Sequence, residues 1–211
     1  MADKAAVRRG RYEQARRNDY AVIAAAREVF IENPEAKMAD VAHRAGVGQA
    51  SLYRRYRTKN ELLNLVCADG LNAAAADAES ALRASGDPWE VFGAFMVRFL
   101  QSGAGAQLIL AGSFVPDESL IALGGRVSRL VQQVVDRAIA AGVLRSDITG
   151  SDLPLLAAQL GSMRSANKLR DRELQRRYLG VILDGLRAPA HSQLPGRAPD
   201  QEEIEKRWRS T

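Results

Sequence analysis

Apolar residues return every three or four positions along most of the chain, the spacing of one helix face, and the breaks between such runs fall at Gly and Pro. The first run, residues 13–32, puts Val22, Ile23, Ala26, Val29 and Phe30 on one side. It stops at Asn33-Pro34, because the residue before a proline disfavours the helical region. Met38, Val41, Ala42 and Ala45 predict a second, short helix, which Gly46 can end by taking the left-handed conformation without a Cβ clash. A third, Gln49 to Tyr56, turns Leu52 and Tyr56 inward and Gln49, Ser51, Tyr53, Arg54 and Arg55 outward. Phe30, Val41, Leu52 and Tyr56 are expected to meet in one small core. Two short helices around a glycine turn, the second with a polar, arginine-rich outer face, have the form of a helix-turn-helix.

Further on, Thr58-Lys59-Asn60-Glu61 has the spacing of a capping box and predicts a fourth helix reaching about Leu82, long enough to act as a lever. Asp87 caps a fifth with Pro88 in its first turn, and Trp89, Phe92, Phe95, Met96 and Phe99 give that helix an aromatic face. A short sixth helix is expected near 106–113, a seventh from about Asp117 to Ala141 before Gly142, an eighth over about 151–166 and a ninth over about 172–186. Residues 188–211, with Pro189, Pro195, Gly196 and Pro199, read as a flexible tail with room for a terminal helix over 200–209. The fold class is therefore all-α, with about nine helices. Four segments are expected: a basic disordered arm over 1–12, a helix-turn-helix domain over 13–60, a larger helical domain over 61–187 and the tail over 188–211.

Charge sharpens this division. Residues 1–60 carry 13 Lys and Arg against 7 Asp and Glu, whereas the remainder carries 17 against 18. Basic charge thus collects on the piece with the exposed short helix, as a phosphate-binding surface requires. No run of about eighteen apolar residues exists, so no membrane partner is expected. The N-terminus lacks the apolar segment of a secretory signal. The single Cys67 permits no internal disulfide and suits a reducing cytoplasm. His43 and His191, the only histidines, lie far apart and with one Cys make a poor zinc site, so no metal or cofactor is expected.

The stretch AGVGQASLYRRYRTKNELL resembles the signature of the TetR family of transcriptional regulators, in which a glycine turn leads to a hydroxyl residue, Leu-Tyr, two variable residues, an aromatic and a lysine. Here those are Gly46, Ser51, Leu52, Tyr53, Tyr56 and Lys59. The pattern departs at Gly48, where a capping serine is common, and at Lys37, where helix two usually has a threonine. The resemblance implies a palindromic DNA operator as partner, with Lys37, Gln49, Ala50, Ser51, Tyr53, Arg54, Arg55, Tyr56 and Lys59 as the DNA-binding set. Gln49 and the arginines have groups for base edges or phosphates, and Tyr53 a hydroxyl for phosphate. Lys59 adds its charge at a helix start that favours an anion.

The resemblance also implies a small-molecule effector enclosed by helices four to eight. Trp89, Phe92, Phe95, Met96, Phe99, Phe114 and Met163, with Gln159 and Arg98 as polar contacts, would suit a largely hydrophobic one, although core packing explains each alone. It implies a homodimer as well. Leu153, Leu156, Leu160, Leu179, Ile182, Leu183 and Leu186 form the expected interface, with Ala157, Gly161 and Ala166 allowing close approach. The expected function is a dimeric repressor released from DNA by its ligand. A helical binding protein or enzyme with an incidental helix-turn-helix, and an activator without inducer, are the other readings. No Ser-His-Asp set, metal cluster or phosphate loop speaks for catalysis.

Overall fold

The computed structural model describes residues 19–163, 165, 167–190 and 192–209. Ten helices form among the described residues: α1 over 19–32, α2 Met38–Ala45, α3 Gln49–Arg55, α4 Lys59–Arg83, α5 Pro88–Gln101, α6 Ala104–Leu110, α7 Glu118–Ala140, α8 Asp152–Gly161, α9 Lys168–Leu186 and α10 Gln201–Arg209. No strand occurs among them, only an isolated bridge between Leu144 and Arg187. The basic arm and the expected first turns of α1 lie outside the described residues. The chain divides into two compact units, one ending at Val66 and one beginning at Cys67.

In the first unit the core is built as the periodicity requires: Val22, Ala26, Val29, Phe30, Val41, Leu52 and Tyr56 are all buried. The turn Asn33-Pro34 is closed by the Glu35 N–H donating to Asn33 Oδ1 at 3.0 Å. At the start of α2, Asp40 accepts from the Lys37 N–H at 2.7 Å, supplying from inside the helix a cap bond that the Lys37 side chain cannot. Gly46 ends α2 with φ +66°, and its N–H and that of Val47 return to carbonyls of the last turn. Gly48 opens α3 without a side-chain cap. Only half of the expected capping box of α4 forms. Thr58 Oγ1 accepts from the Glu61 N–H at 3.0 Å, but Glu61 bonds the N–H of Arg57, one residue before the cap.

The second unit is organised on α5, which packs against α6, α7, α8 and α9. Asp87 and Asp117 cap α5 and α7 through the Glu90 and Leu120 N–H groups at 2.9 and 2.8 Å. Helix α6 lies directly on α8: a Cβ on Gly105 would sit 2.6 Å from the backbone of Ala157 and Ala158. Helix α8 ends at Gly161, five residues before its expected end, where Gly161-Ser162 weakens the helix. Helix α9 starts four residues early, capped by Asn167 Oδ1 accepting from the Leu169 N–H at 2.7 Å.

The segment after α9 departs from the expected flexible tail. Val143 to Asp147 runs beside it, and Ala188 and Arg145 N–H groups donate to the Val143 and Leu186 carbonyls at 3.0 Å. Arg145, 8% exposed, pairs with Asp147 and donates to the Gly185 and Ser192 carbonyls, while the Leu194 N–H donates to Asp147 at 2.8 Å. The Arg145 guanidinium beside Asp147, followed by the Leu194 N–H, holds that carboxyl well below the usual carboxylate range. A proline-rich composition predicts no regular structure, but it does not preclude backbone bonds to a neighbouring segment.

Candidate nucleic-acid interface

Helix α3 is seven residues long and buries one of them, Leu52. Everything else on it is therefore surface, and the residue types give that surface its chemistry. Gln49, Ala50, Ser51, Tyr53 and Arg54 are exposed, bringing an amide, a methyl group, two hydroxyls and a guanidinium to one short helix. Such groups can bond base edges, meet a thymine methyl and grip phosphates. Among the described residues Arg54 enters no ion pair, whereas Arg44 on α2 is committed to Glu28 and Glu32 of α1 at 3.1 and 2.9 Å. Lys37 is exposed at the start of α2.

Three residues of the expected DNA-binding set are bonded to other groups of the first unit. Tyr56 is 5% exposed, and its hydroxyl donates to Asp19 Oδ1 of α1 at 2.9 Å; it packs rather than reads. Burial first, and then the bond to the Asp19 carboxylate, push its phenol up to about 12. Arg55 is exposed but ion-paired with the other oxygen of Asp19. Lys59 folds back: its ammonium donates to the Pro34 carbonyl and stands 5.3 Å over the Phe30 ring. Asp19, which anchors two of these side chains, has no place in the sequence pattern. Its partners are 36 and 37 residues away, beyond any helical spacing.

The residues expected to line an effector cavity are mostly interior. Phe92, Phe95, Met96, Phe99 and Phe114 are buried, and the α5 rings stack along the helix with centroids 6.5 Å (Phe92–Phe95) and 5.4 Å (Phe95–Phe99) apart. Trp89 is half-buried under the Arg187 guanidinium, 5.0 Å from its ring. Gln159 is exposed, and Met163 is half-buried beyond the end of α8. Arg98 is held by Asp77 of α4 at 3.1 Å. A half-open cleft of about 420 Å³ lies beside the Arg145–Asp147 pair, lined by Ile139, Leu144, Pro189 and Ser192 among others.

The expected dimer stripes divide between the core and the surface of the chain. Leu153, Leu160, Leu179 and Leu186 are 0–5% exposed and belong to the core of their own unit, while Leu156, Ile182 and Leu183 are partly exposed. Ala157 does allow close approach, but to Gly105 of α6 in the same chain. Tyr178 and Val181, outside the expected set, are 45% and 62% exposed on α9. They begin a second apolar stripe, with Gly185, offset by one residue from Leu179, Ile182 and Leu186; that offset was the available signal.

Among the described residues no group of three or more His, Cys, Asp or Glu could hold a metal ion, and no helix is long and apolar enough to cross a membrane.

Residues 22–66 match the family model of bacterial regulatory proteins of the tetR family, and residues 86–188 match that of the C-terminal domain of SbtR-like transcriptional regulators. The chain is similar to the solved TetR transcriptional regulator SCO0520 from Streptomyces coelicolor, with 27% identity, a TM-score of 0.54, and 82% of this chain and 99% of that chain covered. It is also similar to a TetR regulatory protein from Mycobacterium vanbaalenii, with 25% identity, a TM-score of 0.55, and coverage of 84% and 99%. LfrR from Mycobacterium smegmatis, solved in complex with proflavine, shares the fold at 20% identity and a TM-score of 0.61, with 85% and 99% covered. No curated protein matches the chain.

Proposed function

The chain belongs to the TetR family of bacterial regulatory proteins and is a DNA-binding transcriptional regulator; from that premise we propose that it is a dimeric repressor released from its operator by a small, largely hydrophobic ligand. The observation that carries the DNA half is α3 itself, a helix with one buried residue and an outer face of Gln49, Ala50, Ser51, Tyr53 and Arg54. We assign base reading to Gln49 and Ala50, and phosphate contact to Ser51, Tyr53, Arg54 and Lys37. One such helix reads only a few base pairs, so two-fold pairing on a palindrome doubles what is read. Leu156, Ile182 and Leu183, with Tyr178 and Val181, offer the apolar area for that pairing.

For the ligand, support comes from LfrR, a protein of the same fold solved in complex with proflavine. An effector that prefers a conformation unfit for DNA lowers operator affinity, and DNA weakens effector binding by the same factor. The test is a fluorescence-anisotropy titration of the protein against the operator selected from its own genome's fragments. Tyr53→Ala and Arg54→Ala are each expected to lose at least about tenfold in affinity with the helical content retained. Unchanged affinity in both would remove the assignment of this face. Deletion of the gene is expected to raise transcription of the operator's target; a fall would make the protein an activator.

A further inference from the structure

Helix α3 has a mechanical problem that follows from its own composition. Within Gln49–Arg55 only Leu52 is buried, so the helix proper has a single core side chain to fix its rotation. Its reading face would then be ill-defined, because base contacts require placement to a fraction of an ångström. The turn at Gly46 ties the N-terminal end of α3 to α2, and that turn is glycine-rich and offers no side-chain cap.

The second point of attachment is Asp19. One of its oxygens accepts from the Tyr56 hydroxyl at 2.9 Å, and the other pairs with the Arg55 guanidinium. The two donors are consecutive residues at the C-terminal end of α3, where the Tyr56 N–H also closes the last turn on the Leu52 carbonyl at 2.8 Å. Arg55 is the last residue of α3 and Tyr56 its extended C-cap, so two bonds from these neighbours to one carboxylate fix the placement of that end. Arg54, one step back, carries the same charge and has no such anchor among the described residues.

We infer that Asp19 is the positioning residue of the recognition helix, and that Arg55 acts through Asp19 rather than on DNA. Turning Arg55 toward a phosphate would strip Asp19 of its cation and leave a carboxylate facing a polyanion. The geometry thus separates two adjacent arginines into a DNA-facing one, Arg54, and an anchoring one, Arg55. This inference rests on the reading of α3 as the DNA-facing helix.

The experiment is duplex binding measured over a range of salt concentrations, since the slope of log affinity against log salt falls by about 0.9 for every phosphate that the protein ceases to neutralise. Arg54→Ala is expected to lower the slope by that amount per subunit. Arg55→Ala is expected to lose about tenfold in affinity at an unchanged slope. Arg55→Lys restores most of the loss, and Asp19→Ala combined with Arg55→Ala is no worse than the weaker single variant. Tyr56→Phe, which removes only the hydroxyl, is expected to lose a few-fold at the same slope and serves if Asp19→Ala does not fold. A slope that falls by about 0.9 in Arg55→Ala would overturn the inference while leaving the DNA-binding reading intact. Undiminished affinity in Arg55→Ala and Tyr56→Phe would overturn it equally. A wild-type protein that binds no duplex would bring down the DNA-binding reading and this inference together.

Discussion

Helices α3 and α9 both give more side chains to the surface than to the core, yet their surfaces differ in kind. On α3 the exposed positions carry amide, hydroxyl and guanidinium groups around one buried leucine. On α9, where only Leu179 and Leu186 are buried, Tyr178 and Val181 stand exposed beside Arg176 and Arg177. A polyanion rewards fixed donors and cations, whereas a second protein surface rewards apolar area that can leave water. Exposure alone says only that a face is open; the residue types say what it is open to.

The comparison breaks first if the aromatic row that supports the second unit is not core. Phe95, fully buried between two neighbouring rings, should cost about 3–5 kcal/mol when changed to Ala. Denaturant unfolding reads this directly, and a near-neutral result would mean that the row lines a pre-formed space. The next largest effect is on assembly. Val181→Glu puts a charge into the proposed apolar patch and should shift sedimentation from dimer to monomer with little change in helical content. A dimer that persists would return α9 to plain surface.

A smaller effect tests how α3 is presented. Gly46 has φ +66° and open space around its Cβ position, so Gly46→Ala should cost about 1–2 kcal/mol from backbone conformation alone. The smallest effect is in alkali. The Tyr56 phenol rises from 10.0 to about 12 in the folded chain, so the unfolded chain releases this proton first as the pH climbs. The stability it contributes is fully present below pH 10 and lost between pH 10 and about 12. Unfolding free energies of wild type and Tyr56→Phe should therefore diverge in slope across that window and nowhere below it.

Local rules carried the helix boundaries a long way. Asp87-Pro88, Asp117, Gly46 and Gly142 mark ends because each solves a terminal hydrogen-bond or backbone problem within a few residues. The outer face of α3 was legible for the same reason, since Leu52 and Tyr56, one turn apart, set which side turns inward. What escaped depends on partners distant in sequence. Small residues on α8 predict close approach, but nothing local says that Gly105, 52 positions before Ala157, is the partner. The periodicity of α9 admits two stripes one residue apart, and only the packing chose Leu179 and Leu186 for the interior. The roles of Arg55 and Lys59 as internal ties arise from Asp19 and from the Pro34 carbonyl, which no spacing rule links to them.

The Arg145–Asp147 pair gives the carboxyl-terminal stretch a duty that its composition conceals. Cutting the chain just after α9 would strip a nearly enclosed guanidinium of the Ser192 carbonyl and its carboxylate companion of the Leu194 amide. An ion pair that has lost part of its satisfaction inside a protein is costlier than one never built. Shortening from this end should therefore be punished before α9 is reached, once Leu194 and then Ser192 are lost.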